Sequence, residues 1–494
     1  MSHSTLAQIA KVDFKPAPKL VDNQLNPHAL VAKYAVRGRI PTMAEQLKGT
    51  LQSDPDALPF DKIISANIGN PQQLDQKPIT FYRQVLALIE YPDLLKNDYV
   101  NKIFPHDAID RANEIMENLV SVGAYSHSKG VLYFRQTVAR YIEDRDDHPA
   151  DPEDIYLTAG ASSAVNYLLS LLSNGPQTGF LIPIPQYPLY TASLALNDAK
   201  VLPYYLKEEE NWSVEASEIS EVIKKAKTEG ISPRAIVLIN PGNPTGSILT
   251  EETIAEILNV AAEHGIVVIA DEVYQENVYE GEFISVKKVL RDLQKLDSTK
   301  YENLQLASLH STSKGMIGEC GQRGGYMELI GFDQSVLSQI LKLASISLCP
   351  PVIGQALVSL MVNPPHESHP SHGPFRSEKL GIFNALKERS HKLYLAFNKM
   401  EGVSCQEPQG AMYCFPQLTL SKKVKAAAAD SGMAPDEFYC AKLLENTGVC
   451  TVPGSGFGQV PGTWHLRTTF LAPGTEWIDN WAKFHENFMN EYRD

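Results

Sequence analysis

Nowhere does this chain of 494 residues run to the ~20 consecutive apolar residues that a bilayer-spanning helix needs, so membrane classes built on such helices are excluded. Positive charge is short as well. Lys and Arg number 44 against 58 Asp and Glu, a net charge of -14, which is the wrong sign for a nucleic-acid partner whose phosphates need a basic face. An anionic substrate must then be met by individually placed arginines. Cysteine is sparse: six residues, at 320, 349, 405, 414, 440 and 450, show no close pair of metal-site spacing and no disulfide-rich segment, as in a reducing compartment. Met1-Ser-His-Ser-Thr-Leu-Ala-Gln-Ile-Ala10 has neither an apolar signal core nor an arginine-rich amphipathic pattern, and Asp13 and Asp22 follow. A cytoplasmic location is expected on that ground.

What is present is the composition of an ordinary globular chain, 43% hydrophobic and 21% charged, long enough for two structural domains. Residues 1–60 read as an arm, with Tyr34-Ala-Val-Arg-Gly-Arg-Ile-Pro41 its one individual run. Ile63-Ile-Ser-Ala-Asn-Ile-Gly-Asn-Pro71 gives a short strand broken at Gly69 and Pro71, a turn that brings backbone close to a neighbour. The spacing of Val131, Phe134, Val138 and Tyr141 predicts a helix after Val122-Gly-Ala-Tyr-Ser-His-Ser-Lys-Gly130. Apolar segments at 178–182, 201–206, 235–239, 265–270, 304–309 and 325–330 then alternate with helical ones. Continuous apolar strands of this kind are buried on both faces, so the fold class is α/β, a mainly parallel sheet flanked by helices. Functional residues in such sheets gather at the carboxyl ends of strands.

Four such ends carry chemistry. After Asp154-Ile-Tyr-Leu-Thr158, Gly160 opens an apolar helix whose start holds Ala161 and Ser162; free backbone N–H groups there suit a phosphate, and an ordinary serine N-cap is the structural alternative. Asn240-Pro-Gly-Asn-Pro-Thr-Gly246 holds the amide of Asn243 in a stiff loop. Asp271-Glu-Val-Tyr274 places a carboxylate at the end of an apolar run and a phenol three residues on, with a salt bridge or helix cap as the alternative use of the acid. Lys314, among Ser311, Thr312, Ser313 and Gly315, can reach a carbonyl compound and form a Schiff base, or stand as a solvated surface lysine. Lysine, acid, phenol and amide at one sheet edge suit pyridoxal 5'-phosphate, with serines and Arg323 for its phosphate. The glycine turn Pro453-Gly-Ser-Gly-Phe-Gly458 lacks the third glycine and the βαβ unit of a dinucleotide loop, which removes a nicotinamide cofactor. Prolines among His366, His369 and His372 favour a solvated connector over 363–374, with no metal site.

The order AGASS, NPGNPTG, DEVY, STSKG and a following arginine resembles the fold-type I, pyridoxal-phosphate-dependent aminotransferases over nearly the whole chain. Within that group YAVRG, NIGNPQ, GAYSHSKG, STSKGMIGECGQRGGY, QGAMYCFP and VPGSGFGQ are similar to the alanine aminotransferase branch, whose register places Arg323 one residue later than in the aspartate enzymes. The resemblance implies that Lys314 carries the cofactor and shuttles the proton, and that Asp271 keeps the pyridine nitrogen protonated. Asn243 and Tyr274 would bond the ring oxygen, Tyr187 would stack on the ring unless it is core packing, and Ala161, Ser162, Ser311 and Arg323 would hold the phosphate. It implies further that Tyr125 reaches the phosphate of a neighbouring subunit in a homodimer with shared active sites. Arg467, on an apparent strand in Trp464-His-Leu-Arg-Thr-Thr-Phe470, would grip the substrate carboxylate in bidentate fashion, assisted by Gly69 and Asn243.

The implied architecture is a large cofactor domain over 122–362 and a smaller α/β domain from 61–121 and 363–494, whose closure carries Arg467 over the substrate. The implied reaction is L-alanine + 2-oxoglutarate to pyruvate + L-glutamate, through pyridoxamine phosphate. Glutamate:glyoxylate transamination, aminocyclopropane-carboxylate synthase chemistry and a silent pyridoxal-phosphate-binding paralogue use the same framework. A transcription regulator is disfavoured by the acidic charge and the absence of a recognisable helix-turn-helix.

Overall fold

The computed structural model describes residues 13, 15, 19, 21–34 and 38–494. The first ten residues, on which the expected location leaned, and Arg37 of the arm's individual run lie outside the described residues.

Seven strands form the central sheet: β1 (Ile155–Thr158), β2 (Thr178–Ile184), β3 (Lys200–Tyr205), β4 (Ser232–Ile239), β5 (Val267–Asp271), β6 (Leu306–Ser311) and β7 (Gly325–Ile330). Their order is β1-β7-β6-β5-β4-β2-β3. The pairings of β2 with β3, β2 with β4, β4 with β5 and β5 with β6 are parallel, while β7 runs antiparallel to both of its neighbours. The sheet is therefore mainly parallel, as the unbroken apolar runs require. Every residue of β1, β2, β5, β6 and β7 is buried. Successive side chains alternate faces, so Leu181, Ile236 and Val268 meet one helical layer and Phe180, Val237 and Ile269 the other. Each of these buried side chains contributes roughly 1.5–3 kcal/mol of transfer free energy.

Register decides where chemistry can gather. Ile239 at the end of β4 pairs with Asp271 at the end of β5. Gly325 at the start of β7 pairs with both Thr158 and Ser311, so the ends of β1 and β6 stand level with each other. All four chemistry-bearing strand ends thus open on one edge of the sheet.

A second core joins the C-terminal part to the arm. Ile40, Ala66, Leu393, Tyr439, Trp481 and Phe488 share one hydrophobic cluster, and Ile64–Ser65 pairs in parallel with Val449–Cys450. Three short antiparallel strands, β8 (Tyr413–Cys414), β9 (Val452–Pro453) and β10 (Leu466–Thr469), stack in the order β8-β10-β9 and carry Arg467. The stretch 61–121 divides between the cores. Ala66 belongs to this one, whereas the helices Thr80–Glu90 and His106–Glu117 bury Tyr82, Leu88 and Ile115 with Phe134, Tyr326 and Leu357 of the larger unit. Helix Leu132–Asp146 buries Phe134 and Val138, two of the four residues whose spacing predicts it. The connector expected over 363–374 ends sooner, because a 26-residue helix begins at His372.

Candidate active site

Gly160 ends β1 at φ +79°, a left-handed conformation that glycine adopts without strain, and opens the helix Ala161–Leu172. A Cβ on Gly160 would lie 2.3 Å from Nη2 of Arg323. That close approach lets the guanidinium lie against the helix N-terminus, where Nη2 donates to the Ala159 carbonyl at 2.8 Å and to Ser162 Oγ at 3.3 Å. Nη1 donates to Ser313 Oγ at 3.3 Å and to the Cys320 carbonyl at 3.1 Å. A cation, free helix N–H groups and serine hydroxyls therefore meet in one anion-seeking corner.

Across from it Asp271 is buried at the end of β5, and Tyr190 donates its hydroxyl to Oδ2 at 2.7 Å. The other carboxylate oxygen, Oδ1, has no hydrogen-bond partner among the described residues. Burial pushes the carboxyl above its ordinary range, against the opposing pull of Tyr190, the Val273 N–H and the Lys314 charge. Lys314 is half-buried, its Nζ 5.9 Å from the centre of the Tyr274 ring. A cavity of about 130 Å³ is lined by Ala161, Ser162, Tyr187, Asn243, Asp271, Tyr274, Ser311, Lys314 and Arg323. A larger cleft of about 950 Å³, between residues 59–65 and the C-terminal helix, contains none of them. The residues singled out by sequence line the smaller one.

Asn243 joins this cavity to the second core. Its Nδ2 donates to the Tyr274 hydroxyl at 3.4 Å, and its Oδ1 accepts from Nη1 of Arg467 at 3.2 Å. Arg467 is 1% exposed, donates from Nη2 to the Asn67 carbonyl at 2.6 Å, and has its Cζ 4.3 Å from the centre of the Tyr413 ring and 4.7 Å from that of Phe457. Its Nε has no partner, and no carboxylate of the described residues forms an ion pair with it. A guanidinium withdrawn from water with no anion beside it is costly. A ligand carboxylate can supply one.

Gly69 lies beside this arginine against Tyr413, whose hydroxyl would be 2.1 Å from a Cβ built on the glycine. Tyr413 and Tyr274 hydrogen-bond through their hydroxyls at 3.2 Å. Burial carries the Tyr274 phenol well above its ordinary value, with Tyr413 adding to the rise. Tyr413 goes the other way: burial raises it, but Lys314 and Arg467, with the bond from Tyr274, bring it below the usual tyrosine value.

The fold brings eleven of the twelve residues singled out by sequence into this cavity or onto the Arg467 wall beside it. Tyr125 is the exception, 79% exposed and outside the cavity of its own chain. Tyr190, Tyr413 and Asn67 were not singled out. Tyr190 stands three residues after Tyr187, and Tyr413 lies inside the QGAMYCFP run, but neither local pattern shows a hydroxyl aimed at Asp271 or at Tyr274.

Residues 93–477 match the family described as aminotransferase class I and II. The chain belongs to that family. Its cofactor is pyridoxal 5'-phosphate, and the site fits that group: a buried carboxylate oxygen lacks a donor, and the arginine-lined helix start lies on the same cavity as the lysine. This aminotransferase is 58% identical over 499 residues, covering 100% of the chain and 84% of the relative, to the mitochondrial alanine aminotransferase of Saccharomyces cerevisiae. It is 56% identical over 490 residues, 98% of the chain and 97% of the relative, to a second protein of that yeast named inactive alanine aminotransferase. Among solved structures, the alanine aminotransferase from Pyrococcus furiosus superposes with a TM-score of 0.72 at 26% identity, covering 94% of this chain and 100% of that one. The cytoplasmic location expected from the N-terminal residues is overturned, because the 58% identical relative, like the probable alanine aminotransferase of Dictyostelium discoideum, is named mitochondrial.

Proposed function

We propose that this aminotransferase exchanges amino groups between L-alanine and 2-oxoglutarate, producing pyruvate and L-glutamate. One observation carries the reading. Arg467 is a buried guanidinium with no carboxylate of the described residues against it, next to the lysine cavity, and both amino-acid and 2-oxo-acid substrates bring a carboxylate. The full-length similarity to proteins named alanine aminotransferase supports the choice of substrates.

In this reading Lys314 carries the cofactor, Arg323, Ser162, Ser311 and the Ala161 N–H hold its phosphate, and Tyr187 covers its ring. Pyridoxal phosphate supplies a reactive carbonyl carbon and an electron-accepting ring. Asp271 Oδ1 would accept a hydrogen bond from the protonated ring nitrogen, and Tyr190 holds the carboxylate by its other oxygen. Asn243 and Tyr274, hydrogen-bonded to each other, would bond the ring oxygen. Arg467 grips the substrate carboxylate, with Asn243 and the Gly69 backbone beside it, which aims the α-hydrogen at the Lys314 amine. That amine would serve as the general base that takes the α-proton and as the acid that gives it back. Tyr125, exposed together with Val120, Ile346 and Leu348, supports a homodimer in which it completes the partner's phosphate site. The division at 363 is part of the same proposal, whereas the expected division at 122 gives way, since residues 80–117 pack in the large unit's core.

The relative named inactive favours one rival, a chain that binds the cofactor without turnover. Both are tested by the visible spectrum of the purified holoenzyme before and after L-alanine without keto acid, with pyruvate assayed in parallel. Loss of the lysine-bound cofactor band with stoichiometric pyruvate is expected. A band unmoved by any amino acid favours the silent protein, and discharge by glutamate with transfer to glyoxylate in a keto-acid screen favours glyoxylate transamination.

A further inference from the structure

Tyr187 has one hydrogen-bond partner for its hydroxyl among the described residues, and that partner comes from the arm. Tyr34 and Tyr187 lie 153 residues apart in sequence, yet their hydroxyl oxygens are 2.6 Å apart and their rings meet edge-on at 6.3 Å between centroids and 70° between planes. Burial first, and Tyr34 second, hold the Tyr187 phenol well above its ordinary value, so Tyr187 keeps its proton at this contact. The arm is itself anchored on the segment that follows Tyr187. The helix Pro27–Val31 packs on the helix Leu189–Leu196, and His28 Nδ1 lies 3.8 Å from Asp198 Oδ1. Beyond Tyr34 opens a cleft of about 740 Å³ whose far wall includes Phe457, the ring stacked on Arg467.

We propose that Tyr34 is a positioning residue of the active site, its hydroxyl fixing the Tyr187 ring over the cavity that holds Lys314. A phenol ring bonded at its tip cannot swing toward the 740 Å³ cleft without breaking that bond, whereas packing at the base of the ring leaves its tip free to move. Tyr34 thereby becomes part of the site, with Phe457 of the Arg467 wall across the cleft from it. The proposal rests on the reading of Tyr187 as the ring that covers the cofactor.

The experiment measures the rate at which holoenzyme loses pyridoxal phosphate, followed by visible absorbance, and the KM for L-alanine, in wild type, Tyr34→Phe, Tyr187→Phe and the double variant. Phenylalanine keeps each ring and removes only the hydroxyl, so the arm stays packed. Each single variant is expected to release cofactor about fivefold faster, the scale of one net hydrogen bond, and the double variant no faster than either single one. A Tyr34→Phe variant that matches wild type, or single effects that multiply in the double variant, overturns the proposal. Failure of the underlying reading shows elsewhere: in Tyr187→Ala, cofactor release unchanged by loss of the whole ring removes the cofactor role of Tyr187, and the proposal with it.

Discussion

Gly69→Ala isolates the contact between the substrate-carboxylate wall and the tyrosine pair. Gly69 is not held in a left-handed conformation, so the substitution brings no backbone strain, and its whole effect comes from one methyl group. That methyl would stand 2.1 Å from the Tyr413 hydroxyl and 3.2 Å from both Tyr413 Cζ and Met412 Cε. The Tyr413 ring is 2% exposed and lies under the Arg467 guanidinium, so it has little room to retreat. Overpacking of this kind costs roughly 1–3 kcal/mol. If the ring moves instead, Arg467 loses one of its two ring contacts and Asn243 is displaced with it, and the same energy appears as a rise of about 5- to 150-fold in KM for L-alanine at ~1.4 kcal/mol per decade. Steady-state kinetics and thermal unfolding of the holoenzyme read the two routes. Tyr413→Phe in the Gly69→Ala background deletes the closest clashing atom and leaves the ring contact at 3.2 Å, so it should recover much of the loss. A Gly69→Ala enzyme with wild-type KM and melting temperature, or a loss that Tyr413→Phe does not relieve, would refute the reasoning.

Arg467→Lys keeps the charge but loses the planar fork and the bonds to Asn243 and the Asn67 carbonyl; KM for both amino-acid and keto-acid substrates should rise by about 100-fold, with cofactor absorbance retained. Tyr190→Phe removes the hydroxyl that donates to Asp271 Oδ2 in a buried site, a cost of roughly 1–3 kcal/mol. Weaker pyridoxal phosphate retention and a lower kcat should appear together, and unchanged values of both would remove Tyr190 from the site. Glu272, fully buried behind Asp271, has its carboxyl pushed up to about 7 by burial, against Arg145 and the bonds from Ser308 and the Val286 N–H. Because the unfolded value is about 4.3, the native state holds the extra proton between the two, and this group makes stability fall as pH rises from about 4.5 to about 7, by a total on the order of 3 kcal/mol. Glu272→Gln should remove that fall, so its melting temperature gains on wild type at pH 8 compared with pH 5; parallel curves for the two proteins would contradict the assignment.

Much of the sheet was legible because its strands are continuous apolar runs, a pattern that only burial on both faces sustains. The reversal of β7 was not, since an antiparallel strand buried on both sides reads like a parallel one. Packing of residues 80–117 with the larger unit was equally hidden, because an amphipathic helix announces that it has an apolar face and not which core receives it.

Residue type and order along the chain were enough to single out Lys314, Asp271, Asn243, Tyr274, Arg323 and Arg467 as candidates that the fold brings together, since each lies in a short motif whose neighbours constrain it locally. Tyr190 on Asp271, Tyr413 between Gly69 and Arg467, and Tyr34 on Tyr187 are different in kind. Tyr190 stands 81 residues from Asp271, Tyr413 stands 139 from Tyr274, and Tyr34 stands 153 from Tyr187. A phenol buried for packing and a phenol that holds a catalytic group have the same local sequence. Strand register and the meeting of the two cores put each hydroxyl within hydrogen-bond reach of one particular partner, and that choice exists only once the chain has folded.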